Sequence, residues 1–285
     1  MAILLDGKAI AEKIKAEVLA ETSEMKEKPG LAVIIVGENP ASRIYVDSKK
    51  KDCLACGVRS VEIILQESAG EAVLLEEIQK LNKREDIHGI LVQFPLPKGY
   101  DPDKAAAAIA PEKDVDAIHL HNAGRVMTGD YGFLPCTPSG VMELLDAYDI
   151  EPRGKHCVMV GCSNIVGKPQ AMLMLQRDAT VSICHSQTVD LAFHTKQADI
   201  LIVAVGRADL ITKEMVKPGA VVVDIGINRT PEGKICGDVA FSQVEPIASH
   251  ISPVPGGVGP VTRAVLMKNT LLAAKGFYGA KAPTE

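Results

Sequence analysis

Apolar positions along the chain switch between two spacings. Residues 7–27 (GKAIAEKIKAEVLAETSEMKE) repeat them at helical period among charges, which predicts an amphipathic helix. LAVIIVG (31–37) is a short β-branched run closed by glycine, the pattern of a strand buried on both faces. A helix over 41–56, a strand at VEIILQ (61–66), a helix near 71–83 and a strand at GILVQF (89–94) follow. Such β-α-β-α-β alternation implies right-handed crossovers and a mainly parallel sheet. Residues 95–138 (PLPKGY, PEKDVD, HNAGR, PCTP) show little regular pattern, and loops of that length in compact domains are usually functional or disordered. The alternation then resumes with a helix at 138–148, strand KHCVMVG (155–161), a helix at 167–176, strand TVSICH (180–185) and a helix at 189–196. It continues through strand ADILIVAVG (198–206), a short helix near 212–216, strand GAVVVDIGI (219–227) and a last helix over about 261–275. The fold class is therefore α/β in two domains. The second is a nucleotide-binding unit that begins near residue 139, and the last helix is open to packing on either.

Composition narrows the function. With 47% apolar residues the chain has ample core material, so disorder is a poor reading. A net charge of −5 and ten aromatic residues, five Tyr and five Phe, argue against nucleic-acid binding. That task needs clustered cations on phosphate and rings that stack on bases. Seven cysteines, an odd number scattered along a long chain, do not form a disulfide framework. Cys53 and Cys56 make one C-x-x-C without the second pair of a zinc ribbon, so these thiols are expected to pack structurally. The first residues, MAILLDGKAIAEKIK, reach Asp6 and Lys8 before a signal-peptide core can form, and no apolar run approaches a membrane span. A cytoplasmic enzyme that leaves membranes and nucleic acid alone is the expectation.

The sharpest local signal is VMVGCSNIVGKP (158–169), a strand running through a glycine-bearing turn into a helix. Amides of such a turn can receive a pyrophosphate. Five residues separate Gly161 from Gly167, and Pro169 follows Lys168, which excludes the Walker G-x4-G-K-[ST] geometry. What remains is a degenerate G-x-G-x-x-G dinucleotide motif or an ordinary tight turn. After the next strand come His185, Ser186, Gln187 and Thr188, with no carboxylate before Asp190. An acid there would accept the ribose hydroxyls of NAD, so its absence favours NADP, with Ser186 near the 2′-phosphate; an acid supplied elsewhere is the alternative. In NPASRIYVDSKKKDC (39–53), Ser42, Tyr45 and Lys49 lie on one predicted helix, with Tyr45 and Lys49 four residues apart on a shared face. A lysine in a cleft can lose hydration and titrate in a useful range, although Lys49 to Lys51 also reads as a solvated charge run. Gln93 is polar at the carboxyl end of an apolar strand, suited to a ligand or to a satisfied buried amide. Asp114 and Asp116 are paired acids without histidines in a ligand pattern, so no metal is expected. ISPVPGGVGPVTRA (251–264) packs three glycines and three prolines around a helix start, where backbone can approach a ligand closely.

Together these segments resemble the bifunctional methylenetetrahydrofolate dehydrogenase/cyclohydrolase family. The blocks in order are S-x-x-Y-V-x-x-K at 42–49, GILVQFPLP at 89–97, PEKDVD at 111–116, PCTP at 135–138, GCSNIVGKP at 161–169, DIGIN at 224–228 and PVPGGVGP at 253–260. The resemblance implies a folate-binding catalytic first domain of 1–138 plus the C-terminal helix 262–285 with a mainly parallel sheet, a Rossmann-like NADP-binding second domain of 139–261 and a homodimer working in one-carbon metabolism, with NAD as the alternative cofactor. It implies Lys49 as proton carrier, Tyr45 stacked on the folate, Gln93 tuning Lys49 and Asp116 anchoring the pterin. The implied folate contacts are Tyr45, Val46, Asp47, Ser48, Lys49, Val92, Gln93, Phe94, Asp116, Pro255, Gly256, Gly257, Val258 and Gly259. The implied dinucleotide contacts are Gly161, Cys162, Ser163, Ser186 and Ile227. Four positions depart from the family pattern. Ala117 replaces a common glycine, Cys162 an arginine able to grip a 2′-phosphate, and Ser252 and Val261 the commoner Thr and Met.

Overall fold

The computed structural model describes residues 1–38 and 40–278, without the side chains of Pro40, Ala41, Ser42 and Ile44. Strand β1 (Ile3–Leu4) and helix α1 (Gly7–Glu24) lead into β2 (Gly30–Val36), α2 (Pro40–Ala55), β3 (Arg59–Leu65), α3 (Glu71–Asn82) and β4 (Gly89–Val92). Helices α4 (Pro102–Ala108), α5 (Leu120–Thr128) and α6 (Cys136–Ala147) precede β5 (His156–Val160), α7 (Gly167–Gln176), β6 (Thr180–Cys184), α8 (Leu191–Thr195), β7 (Ile200–Val203) and β8 (Val221–Asp224). The hairpin β9 (Asn228–Arg229) and β10 (Ile235–Cys236), α9 (Phe241–Val244), β11 (His250–Ile251) and α10 (Val258–Ala274) complete the chain. Two compact units result, one of residues 1–11 and 137–262, the other of 12–136 and 263 onward. Residues 1–11, expected in the first domain, go with the second half because β1 pairs in parallel with β11. Residues 279–285 of the expected C-terminal segment lie outside the described residues.

In the unit of 12–136 and 263 onward, β2 sits between β3 and β4, all parallel. Every residue of β2 is buried, which is why its sequence is continuously apolar rather than alternating. Helix α3 packs on the sheet through Leu74, Ile78 and Leu81, one helical stripe. Each such side chain, removed from water, contributes about 1.5–3 kcal/mol. In the unit of 1–11 and 137–262, six parallel strands run in the order β1-β11-β8-β7-β5-β6. Strand order therefore reverses beside β2 in one sheet and beside β5 in the other. Crevices for ligands open at the carboxyl ends of strands at such reversals.

The stretch 95–138 is more regular than its sequence pattern implies. Asp101 caps α4, its carboxylate accepting from the amides of Asp103 (2.9 Å) and Lys104 (3.2 Å), with Pro102 in the first turn. His119 caps α5 by accepting from the His121 amide at 3.0 Å. Both helices are short and start on local side-chain bonds, so neither builds a long periodic signal. The segment between them hangs on Asp114, which is 1% exposed. Its Oδ2 accepts from the His119 amide (2.7 Å) and from Asn122 Nδ2 (2.8 Å). The Tyr278 hydroxyl in turn donates to Asn122 Oδ1 at 3.0 Å. Oδ1 of Asp114 has no partner among the described residues. Ala117 follows at φ 52°, in the left-handed region, where a Cβ costs about 1 kcal/mol and glycine costs none.

Burial pushes the Asp114 carboxyl up from the usual 3.8 to about 6, against the bonds from Asn122 and His119. The folded chain thus keeps the proton over a range where the unfolded chain has lost it, so this group's stabilisation is complete below about pH 4 and lost as pH rises through about 6. Asp114→Asn retains an acceptor and carries no charge. Calorimetric unfolding temperatures of the wild type should therefore fall relative to Asp114→Asn between pH 4 and pH 7. A wild-type-to-variant difference independent of pH would show that the carboxyl is not held protonated.

Candidate active site and dinucleotide edge

Helix α2 presents Tyr45 and Lys49 one turn apart, Tyr45 exposed and Lys49 half-buried. Lys49 Nζ donates to Gln93 Oε1 at 2.7 Å. Gln93 stands one residue beyond β4, where its backbone N–H still donates to Ile34 O at 2.9 Å, and its Nε2 donates to Phe94 O at 2.6 Å. That second bond occupies the amide's donor side and turns its oxygen to the lysine. An amide oxygen accepts from both an ammonium and a neutral amine, so Gln93 holds Lys49 without forcing one protonation state. Burial lowers the Lys49 pKa from its ordinary value of 10.5; the negative charge of Asp116 and the Cys136 thiol oppose this, while the Arg263 guanidinium assists.

The surrounding charges are themselves fixed. Asp116 Oδ1 accepts from the Cys136 amide at 3.1 Å, the first residue of α6. A helix N-terminus favours a carboxylate there, yet burial still raises the Asp116 pKa. The Cys136 thiol donates to Val115 O at 3.3 Å, and Asn269 Nδ2 donates to Val115 O (2.8 Å) and Leu134 O (2.9 Å). Arg263 Nε donates to Asp52 Oδ2 at 2.7 Å, and Lys15 Nζ reaches Asp52 Oδ1 at 3.3 Å. Of these, Asp52, Cys136, Arg263 and Asn269 escaped the sequence reading. An arginine near the start of the last helix and an aspartate ending a lysine run were the signals for Arg263 and Asp52.

The other expected folate contacts divide. Val46 and Val92 are core residues, 2% and 1% exposed, so the structure places them behind the site surface. Asp47 is exposed, and Ser48 and Phe94 are half-buried. The Ser42 side chain lies outside the described residues. Cys53 and Cys56 are buried, and burial pushes their thiols up to about 12 and about 11, which leaves them protonated packing groups. No cluster of three or more His, Cys, Asp or Glu suited to a metal occurs among the described residues.

In the other unit, parallel pairing brings the turns after β5, β6, β7 and β8 to one edge of the sheet. Cys162 and Ser163 follow β5, Ser186 follows β6 and Ile227 follows β8, all exposed. Gly161 has φ 125°, and a Cβ there would fall 2.2 Å from Ala204 O, the residue after β7. A Cβ on Gly167 would fall 2.2 Å from Gly161 O. These two glycines let the strand, the turn and α7 close on one another, which keeps the crevice open beside the strand reversal. Ser163 Oγ accepts from the amides of Val166 (3.2 Å) and Gly167 (3.3 Å), capping the turn. In the PGGVG segment, Gly257 N–H donates to Pro253 O at 2.8 Å, and Gly7 N–H to Gly256 O at 2.9 Å. Pro255 is exposed and Val258 buried, while a Cβ on Gly259 would meet open space. Gly256 and Gly257 thus meet the chain's own backbone, which constrains the turn as tightly as its composition suggests.

Comparison with known proteins gives this geometry a family. The catalytic domain of tetrahydrofolate dehydrogenase/cyclohydrolase matches residues 5–116, and the NAD(P)-binding domain of the same enzymes matches 135–277. The bifunctional protein FolD of Ruminiclostridium cellulolyticum is 53% identical over 273 residues, 95% of this chain and 96% of that protein. The crystal structure of the bifunctional FolD methylenetetrahydrofolate dehydrogenase/cyclohydrolase of Campylobacter jejuni superposes with a TM-score of 0.95 at 49% identity, over 97% of this chain and 99% of that one. The Trypanosoma brucei FolD, solved with NADP and an inhibitor, gives a TM-score of 0.92 at 38% identity, over 96% of this chain and 97% of that one. The order of blocks, the two parallel sheets and these matches agree: the chain belongs to the tetrahydrofolate dehydrogenase/cyclohydrolase family.

Proposed function

We propose that the chain oxidises 5,10-methylenetetrahydrofolate to the 5,10-methenyl form with NADP and hydrolyses that product to 10-formyltetrahydrofolate. The observation that carries this is Lys49, held out of water against Gln93 at 2.7 Å with the charge of Asp116 acting on it. Hydrolysis of a methenyl cation needs a group that removes a proton from the attacking water and another proton for the ring nitrogen that departs. A lysine with a lowered pKa does both: the neutral amine takes the water's first proton, the ammonium returns it to the nitrogen as the carbon–nitrogen bond breaks, and the adduct's hydroxyl proton leaves to solvent as the formyl C=O forms, one proton released per turnover. Gln93 keeps the amine in place in either state. Asp116, braced by the Cys136 amide, accepts from the amino-substituted pterin ring, and the exposed Tyr45 ring covers the folate.

The edge formed by Gly161, Cys162, Ser163, Ser186 and Ile227 suits a dinucleotide, because parallel pairing gathers these turns at the carboxyl ends of the strands beside the strand reversal, and Gly161 and Gly167 let the strand, the turn and α7 pack without side chains between them. NADP bound there supplies the hydride acceptor. Cys162 brings no positive charge to a 2′-phosphate, which makes NAD the second reading. Unpaired cysteines suit a reducing compartment, and we place the protein in the cytoplasm. No described helix is long and apolar enough to cross a membrane. We also propose a homodimer formed through the edge of β6, where Ile183, Val189 and Phe193 are 40%, 85% and 62% exposed beside a strand with one free side.

Incubation with methylenetetrahydrofolate and NADP or NAD should give nicotinamide reduction at 340 nm and a separate methenyl signal; no reduction with either cofactor would end the dehydrogenase reading. Cyclohydrolase activity should rise with pH through a limb below the ordinary lysine range. Lys49→Ala should lower it at least 100-fold while folate still binds, the scale of a lost proton carrier. Gln93→Glu, by placing a carboxylate against Nζ, should move the limb to higher pH; unchanged profiles in both variants would remove Lys49 from the mechanism. Ile183→Glu with Phe193→Glu should convert a dimer to a monomer in light scattering, and a wild type already monomeric would refute the interface.

A further inference from the structure

Two buried carboxylates lie behind the dinucleotide edge without being part of it. Asp238 is 0% exposed and Asp224 3%. Oδ2 of Asp238 accepts from the amides of Val205 (2.7 Å) and Gly206 (3.0 Å), and Oδ1 from the Arg207 amide (2.8 Å) and Asn228 Nδ2 (2.8 Å). Three successive amides thus converge on one carboxylate, the arrangement by which a backbone turn grips an anion. Here the anion belongs to the chain. Asp224 Oδ1 accepts from the amides of Gly226 (2.9 Å) and Asp238 (3.0 Å), and Oδ2 from that of Val239 (2.9 Å). The two acids are therefore linked through the Asp238 amide.

The neighbouring backbone is shaped around them. A Cβ on Gly226 would fall 2.2 Å from Asp238 Cγ, and one on Gly237 would fall 1.8 Å from Asp224 Oδ2. Neither position has room for a side chain while both acids stay in place. Asp238 joins the turn after β7 (205–207) to Asn228 after β8. Asp224 joins Gly226 to the 238–239 segment. Ile227 sits between Gly226 and Asn228, the two residues so held. Its backbone is clamped on both sides while its side chain is 49% exposed.

We propose that Asp224 and Asp238 are positioning residues for the dinucleotide, setting the turns after β7 and β8 so that Ile227 and the 205–207 backbone meet the cofactor. This rests on the dinucleotide reading of that edge. The acids touch no ligand themselves. In Asp238→Asn the new NH2 group must face at least one pair of N–H donors, so two of the four bonds are lost and the turns are released from each other. Lys49, Gln93 and Asp116 lie in the other unit and share no bond with either acid.

The test measures NADP affinity by titration, dehydrogenase KM for NADP, and cyclohydrolase rate in the purified full chain. Asp238→Asn should raise the NADP Kd and KM at least tenfold while cyclohydrolase stays within twofold of wild type. Asn228→Ala, which removes the Nδ2 bonds to Asp238 Oδ1 and to Gly237 O (3.1 Å) at a half-buried position, should raise the NADP KM about three- to tenfold, and it decides the matter if Asp238→Asn does not fold. NADP constants within twofold of wild type in the folded variants would overturn the proposal. So would parallel loss of both activities, the result of a general structural role. A wild type that binds neither NADP nor NAD would instead remove the dinucleotide reading, an outcome visible before any variant is compared.

Discussion

An amine taken out of water titrates usefully only while the charges around it stay where they are. Lys49 depends on that condition more than on any single bond. Its desolvation lowers the pKa, Asp116 opposes the shift, and Arg263 reinforces it. Had Arg263 or Asp116 been free to move, the balance would vary with each fluctuation. Asp52 pins the first and the Cys136 amide the second. Arg263 is itself one-third exposed, so its hold on Lys49 is a matter of position more than of a large stability term.

The dinucleotide edge uses the same economy with the signs reversed. There, buried carboxylates are neutralised by N–H dipoles instead of cations, and their task is to hold backbone instead of a side chain. Glycines near that edge have a packing role in this light. Gly161 and Gly167 allow strand, turn and helix to close, and Gly226 and Gly237 allow two acids to approach the chain. A glycine-rich sequence near a ligand is therefore as much a statement about what lies behind the backbone as about what lies in front.

Much of this was legible without a structure. The helical period, the continuous apolar runs of β2 and β7, and α7 at residues 167–176 follow from local pattern, because a strand or helix writes its burial into neighbouring positions. Helices α4 and α5 did not, since each is short and begins on a cap rather than a long apolar stripe. β1 and β11 are two residues each, too brief for any periodicity to register.

For the site, the sequence by itself determined which groups are available: Lys49 and Tyr45 on one helix face, Gln93 at a strand end, two acids in PEKDVD, and glycines bounding the turn after β5. Only the tertiary structure decided what those groups are. Lys49 reads as one of three solvated lysines until Gln93, 44 residues away, meets its amine and burial strips its water. Arg263 acts on it while held by Asp52, 211 residues distant. Desolvation and long-range charge depend on what the folded chain brings near, and no local spacing encodes that. The residue types set the chemistry that is possible, and packing sets the protonation that makes it work.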